Sequence, residues 1–273
     1  MKVLESKFAK GFIDLCEEGW QLRFHERNGG NLSYRIPNGD IDEVREDLDF
    51  SREFVEIGTS VPDLAGEFFM VTGSGKYFNH VIDDPEDTVC IVEVDTTGTK
   101  YRIVWGLING GRPTSELPTH LMNHEVKKLS SGGKMRVIYH CHPANIIAMT
   151  FVLPMEDKVF TRELWESMTE CPVVFPQGVG TIPWMVCGGR EIGVYTAEKM
   201  KQYDVAVWAH HGIFCAGEDF DIAFGLAHTV EKSAEIYMKV RSVTPVKQQT
   251  ITKENFLDLA KAFGLELNES FLD

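Results

Sequence analysis

No two cysteines are spaced CxxC, no stretch reaches the ~18 apolar residues that a membrane span requires, and no cluster of Lys and Arg stands along the chain. Each absence removes a class of function. The six cysteines, Cys16, Cys90, Cys141, Cys171, Cys187 and Cys215, are scattered over 273 residues. They form no disulfide framework and are expected to be reduced thiols, mostly in or near the core. The opening residues MKVLESKFAKGF lack the apolar run of a secretory signal, so the cytoplasm is the expected compartment. A membrane partner is not expected. Asp and Glu outnumber Lys and Arg by 41 to 27, a formal charge of -14. That field repels polyanions, and without a basic patch a nucleic-acid partner is not expected. A phosphorylated ligand would have to be held by local N–H and hydroxyl donors instead.

What is present suits one large folded unit: 43% hydrophobic and 25% charged residues are ordinary for a chain that buries a substantial core. Leu4, Phe8, Phe12, Leu15 and Leu22 recur at helical spacing and predict an amphipathic opening helix over Val3–Leu22. Glu26-Arg27-Asn28-Gly29-Gly30-Asn31 predicts a turn, and Leu32–Ile36 a strand. Residues 37–67 are acidic and punctuated by Pro and Gly, which suits a peripheral excursion better than core. Strand patterns follow at Phe68–Val71, Val89–Val94 and Tyr101–Trp105, the last two joined by an Asp95–Gly98 turn as a hairpin. A helix is expected from about Thr114 to Leu129, capped by Thr114 or Ser115, with Pro118 early where proline is tolerated. Further strands are expected at Met135–Cys141 and Asp204–Ala209, and helices at Ile222–Arg241 and Lys253–Phe263, the last capped by Thr252. With no repeat or interdomain linker, residues 1–273 read as a single α+β domain whose helices cover a sheet.

The sharpest local signal is His140-Cys141-His142 at the end of a strand pattern. Residues i and i+2 of a strand project from the same face, so the two imidazoles can share an ion while Cys141 packs on the other side. An HxH pair alone is more often ordinary structure than a metal site. The second cluster, Ala209-His210-His211-Gly212, changes that balance, because three nitrogen ligands with one position open is the pattern of a catalytic metal. Spacing does not decide between His210 and His211, although Gly212 favours His211 modestly by letting the backbone pass close to the site. His25, His80, His120, His124 and His228 read as isolated surface or core histidines.

Three turns could hold an anion. Thr114-Ser115-Glu116 follows Gly110-Gly111-Arg112-Pro113 at a helix start, where free N–H groups and hydroxyls gather. The bland reading is an ordinary cap, with Glu116 only complementing the helix dipole. Thr72-Gly73-Ser74-Gly75-Lys76 lacks the GxxxxGK[ST] spacing of a nucleotide loop but can present N–H groups to a phosphate monoester. Asn28-Gly29-Gly30-Asn31 is a third such turn, and could equally be structural. Joined to a metal site, the three suggest a small phosphorylated substrate.

Taken in order, GGNLS, TGSG, PTSE, HCH and HHG resemble the class II aldolase/adducin family. The likeness runs end to end, through ERNGGNLSYR (26–35), VTGSGKYF (71–78), WGLINGGRPTSELPTH (105–120), FTRELWESMTECPVVFP (160–176) and FGLAHTVEKSAEIYMKV (224–240). The resemblance implies a three-layer α/β/α sandwich around a mixed, mostly antiparallel sheet, assembled as a homotetramer with sites at subunit interfaces. It implies one Zn²⁺ per subunit on His140, His142 and His211, with His210 standing where an apolar residue is usual. Glu116 would be the acid/base, and Asn28, Asn31, Ser74, Gly75, Thr114 and Ser115 would hold the substrate phosphate. Glu170 would contribute a carboxylate across a subunit boundary. The 160–176 block separates the chain from the L-fuculose 1-phosphate and pentulose-phosphate branches. It implies reversible cleavage of L-rhamnulose 1-phosphate to dihydroxyacetone phosphate and L-lactaldehyde, through a metal-stabilised enediolate. The alternatives are an aldolase or epimerase acting on L-fuculose 1-phosphate or a pentulose phosphate, an adducin-like interaction domain without metal, and a metal-binding β-barrel, which the long amphipathic helices disfavour.

Overall fold

Alternating apolar residues build a sheet whose two faces each need a cover, and the chain supplies both. The computed structural model describes residues 1–272 of the 273. Its strands are β1 (Asn31–Ile36), β2 (Val55–Glu56), β3 (Phe68–Thr72), β4 (Val89–Val94), β5 (Lys100–Gly106), β6 (Val137–Cys141), β7 (Gly180–Ile182), β8 (Val205–Trp208) and β9 (Gly212–Gly217). They form one sheet in the order β2-β5-β4-β3-β1-β6-β9-β8-β7. Every pairing is antiparallel except β7 with β8. The expected β4–β5 hairpin forms, and Asp95 Oδ1 closes it by accepting from the amides of Thr99 and Lys100 at 2.9 Å each.

Period-2 alternation assigns each face. On β6, Val137, Tyr139 and Cys141 join one core with Phe8, Phe12 and Leu15 of the helix Lys7–Gln21 and with Ala227 and Val230 of the helix Phe220–Val243. Ile138 faces the other way, into a cluster with Trp208, Phe214 and the helix residues Ile192 and Met200. Phe69, Val71, Cys90 and Val92 meet Leu117 and Leu121 of the helix Leu117–Ser130 on that same second face. Fully burying one such side chain stabilises the fold by about 1.5–3 kcal/mol. The result is a mixed, mostly antiparallel sheet with helices on both sides.

The opening helix begins at Lys7 rather than at the expected Val3: Val3–Glu5 form a separate 3₁₀ turn, and Ser6 caps the helix by accepting from the Ala9 amide at 3.2 Å. The expected cap at Thr252 forms, in a reciprocal capping box with Asn255 ahead of Lys253–Phe263, which Gly264 ends in the left-handed conformation. Two further expectations need correction. The segment 37–67 is not simply peripheral: Ile41, Val44, Val61 and Leu64 are buried in the two main cores, and only β2 lies out at the sheet edge. Its short helices carry the apolar residues inward while the acidic ones stay outside. The helix expected from Thr114 begins instead at Leu117, with Glu116 as its N-cap residue and no side-chain cap. Backbone pairing explains this. The Thr114 amide donates to the Thr72 carbonyl at 2.9 Å and Gly73 bridges to Pro113, so residues 113–114 are paired as extended backbone at the end of β3 and cannot yet be helical.

Candidate active site

The register of β1 against β6 places Asn31 opposite His140, and the antiparallel β6–β9 pair brings the β8–β9 turn beside the same strand end. The bridge between Gly73 and Pro113 ties the 72–75 turn to residues 113–116. These pairings gather the three separate turns around one cavity of about 160 Å³. Asn28, Asn31, Ser74, Gly75, Thr114, Ser115, Glu116, His140, His142 and His211 all line it. Glu170 does not line it. It is exposed at the start of a short helix, Cys171–Val174.

Ligand-capable atoms of His140, His142 and His211 lie within 4.8 Å of one another. His140 Nδ1 is 2.9 Å from the Ile213 carbonyl, which can only accept, so the ring proton sits on Nδ1. His142 Nδ1 donates in the same way to the Glu26 carboxylate, at 2.8 and 3.1 Å from its two oxygens. With both rings in the neutral form that a metal ion requires, their Nε2 atoms carry lone pairs and face each other at 3.2 Å. Two facing lone pairs repel unless a cation stands between them. Nitrogen ligands about 2.0–2.1 Å from a tetrahedral ion lie roughly 3.3 Å from one another, so the spacing fits a shared divalent ion. Burial, followed by the neighbouring imidazoles, pushes the His140 pKa well below its ordinary value. Burial, then His142, lowers His211 to about 4. Both rings are thus neutral near pH 7, the state in which an imidazole can bind a metal ion.

The rings are held by packing as well. His140 stacks on Phe214 with centroids 4.2 Å apart and lies 5.2 Å from Trp208. A side chain at Gly212 would run into the Cys141 carbonyl and the His142 ring. The close approach expected of that glycine is therefore to a histidine ring and the strand backbone. His210 adopts φ +60° and turns away, its Nδ1 3.0 Å from Thr150 Oγ1 and its ring 4.1 Å from Phe151. One left-handed residue thus separates two adjacent histidines, with only His211 facing the cavity. Cys141 is buried on the opposite face, as its strand position predicts.

Glu116 is buried at the cavity wall, its Oε2 3.6 Å from His140 Nε2. Burial raises its pKa above the ordinary carboxylate value, and a 2.9 Å hydrogen bond from Asn31 Nδ2 works against that rise. A carboxyl group whose burial raises its pKa holds a proton more readily than an exposed one, which suits a group that gives and takes a proton. The 72–75 turn holds no free ammonium, since Lys76 Nζ is paired with Asp87 at 2.6 Å. An anion placed there would meet N–H groups and hydroxyls rather than a free ammonium.

Several residues around the cavity escaped the sequence reading. Glu26 lies in the turn segment, but nothing in its spacing marks it as the partner of His142. Cys187 is an exposed thiol on the cavity rim, close to Glu116 and His211. His120 and His124 are not isolated: they meet at Ser33 behind Asn31. Their i,i+4 spacing on one helix face was the available signal.

The model of the Class II Aldolase and Adducin N-terminal domain matches residues 10–238. The chain is 49% identical over 263 residues to a rhamnulose-1-phosphate aldolase of Mannheimia succiniciproducens, covering 96% of each. It is 46% identical over 270 residues to another of Pectobacterium atrosepticum, covering 99% of this chain and 98% of that protein. Among solved structures, a sugar-phosphate aldolase from Thermotoga maritima superposes with a TM-score of 0.75 at 26% identity, covering 89% of this chain and 98% of that one. An L-fuculose 1-phosphate aldolase superposes at 0.62 with 19% identity over 95% of this chain and 97% of that one, a likeness of fold alone.

Proposed function

The chain belongs to the class II aldolase and adducin family, and from that premise we propose that it is a zinc-dependent lyase of L-rhamnose catabolism. It cleaves L-rhamnulose 1-phosphate reversibly to dihydroxyacetone phosphate and L-lactaldehyde. The observation that carries the reading is the pair of lone-pair nitrogens facing each other at 3.2 Å, with a carboxylate 3.6 Å from one of them. Identity of 49% and 46% to two rhamnulose-1-phosphate aldolases, over nearly their whole lengths, supports the choice of sugar.

Three imidazoles with a fourth position open suit Zn²⁺, one per subunit, held by His140, His142 and His211. When bound there, the ion supplies a Lewis acid for the negative charge that develops as the C3–C4 bond breaks. The chain's own groups manage the protons. In the cleavage direction the C3–C4 electron pair stays with the dihydroxyacetone phosphate fragment, and Glu116 delivers a proton to C3. The C4 hydroxyl gives up its proton as its oxygen becomes the aldehyde oxygen. Asn28, Asn31, Ser74, Gly75, Thr114 and Ser115 hold the phosphate, Ser74 and Thr114 through their hydroxyls because their amides are already paired with the Arg112 and Thr72 carbonyls.

Glu170 takes the C4 hydroxyl proton in a neighbouring subunit's cavity, within a cytoplasmic homotetramer. Its exposure, away from its own cavity, supports that reading. So do the exposed Trp184 and Val186, which shortly precede the rim residue Cys187 in the chain. Mixing Glu170→Ala with Glu116→Ala subunits is expected to restore activity, because some sites then receive both carboxylates. Mixed tetramers as inactive as either parent would defeat the shared site.

The test of the whole reading compares L-rhamnulose 1-phosphate with L-fuculose 1-phosphate on metal-analysed protein. Release of dihydroxyacetone phosphate is followed through a coupled reductase. Preference for the first sugar is expected by about tenfold or more in kcat/KM, since a site built to bond one hydroxyl arrangement leaves polar groups unpaired with the other. Conversion without release of the triose phosphate would mean an epimerase instead.

A further inference from the structure

Behind Glu116 a line of buried polar groups runs into the core. We propose that His124, Ser33 and His120 form a one-directional hydrogen-bond chain that locks the Asn31 amide in the orientation that holds Glu116. They are thus positioning residues for its proton transfer. This inference rests on the acid/base reading of Glu116.

Each link allows one direction. A carboxylate only accepts, so the Asn31 side chain must turn its NH₂ toward Glu116 Oε2, 2.9 Å away. Its Oδ1 then faces His120 Nε2, with which it makes a short contact, and that nitrogen must carry the ring proton. His120 Nδ1 is left as an acceptor and takes the hydroxyl proton of Ser33 at 2.6 Å. The remaining Ser33 lone pairs accept from His124 Nε2 at 2.8 Å. His124 Nδ1 is buried and has no partner among the described residues, so a proton placed there would be an orphaned donor. The proton therefore belongs on Nε2, which fixes the start of the chain.

Burial lowers His120 to about 3 and His124 well below its ordinary value, so each neutral ring offers one donor and one acceptor. Ser33, His120 and His124 are wholly buried, and no solvent competes for these links. An Asn amide is nearly symmetric in shape. Without a donor at its far end it can flip and set Oδ1 against the carboxylate, which frees Glu116 to rotate away. Among the described residues Glu116 Oε1 accepts no hydrogen bond, so its aim depends on the single bond to Oε2.

The experiment measures steady-state triose phosphate release by the zinc-loaded enzyme for Ser33→Ala, His120→Leu and His120→Gln, each alone and combined with Asn31→Ala. Ser33→Ala and His120→Leu are expected to lower kcat about 10–100-fold, with KM and bound zinc at parental values. His120→Gln is expected to stay within about threefold, because its amide nitrogen can still donate to Asn31 Oδ1. In the Asn31→Ala background neither lossy variant should reduce kcat further, since the group they act through is gone. Parental kcat in Ser33→Ala, or losses that multiply with that of Asn31→Ala, would overturn the proposal. Ser33→Ala deletes only one oxygen and decides the matter if His120→Leu does not fold. Glu116→Gln is run alongside. If it keeps turnover, the underlying reading fails; if it is inactive while Ser33→Ala is normal, only the positioning chain fails.

Discussion

Stripping metal with a strong chelator is expected to abolish triose phosphate release, and added zinc is expected to restore it. The expectation follows from charge. Breaking the C3–C4 bond leaves an electron pair that the cavity's own neutral donors stabilise poorly, and a bound divalent ion contributes several kcal/mol to such a step. At about 1.4 kcal/mol per tenfold, the loss should reach roughly 10³-fold or more. Replacing His140 by Ala should eliminate bound metal at ordinary zinc concentrations, because it removes the ligand that is buried and stacked on Phe214. Replacing Glu26 by Gln should act more mildly. It leaves all three ligands but weakens the acceptor that fixes the proton on His142 Nδ1, so zinc affinity should fall about 10–100-fold and activity should return in excess zinc. Metal content and turnover measured on the same samples check the series. Full activity in metal-free protein would exclude this chemistry.

Glu26 also shows where the sequence stops being informative. His140 and His142 could be paired from the sequence because strand periodicity acts over two residues, and β6 obeys it. The acceptors behind their Nδ1 atoms come from residues 26 and 213, through a turn and a neighbouring strand, and no local period encodes that. His210 and His211 could not be separated either, because the choice depends on a φ of +60° at His210. A non-glycine residue in that region leaves no mark that spacing can reveal. Fold elements were legible where apolar alternation or helical recurrence was strong: Lys253–Phe263 begins at its predicted cap, and the β4–β5 hairpin turns at Asp95.

The misplaced helix start at 114 has the same origin as the gathering of the three turns. Residues 113–114 look like a cap by composition, but tertiary pairing with Thr72 and Gly73 overrides the local preference. That pairing sets Ser74 and Gly75 beside Thr114 and Ser115 and leaves Glu116 where the paired backbone at the end of β3 gives way to the helix. The departure from local rules falls at the site itself, where function rather than propensity sets the backbone. In 37–67 the reason is different. Isolated apolar residues among many acids gave no period, yet Ile41, Val44, Val61 and Leu64 each find a core.

Glu116→Gln is expected to reduce turnover about 10²–10⁴-fold while zinc remains bound, the range over which a positioned proton donor accelerates such reactions. The substitution keeps the size and shape of the side chain. A glutamine oxygen can still accept from Asn31 Nδ2, and His140 keeps its hydrogen bond to Ile213 and its stacking on Phe214. What disappears is the capacity to take up and release a proton beside the three imidazoles, which burial favours by raising the carboxyl pKa against the pull of Asn31. The loss should therefore appear in kcat at unchanged zinc stoichiometry. A variant that instead lost metal would assign Glu116 to the ion's support rather than to the proton. A variant with near-parental kcat would remove it from the chemistry, and the C3 proton would then have to come from solvent entering the open cavity.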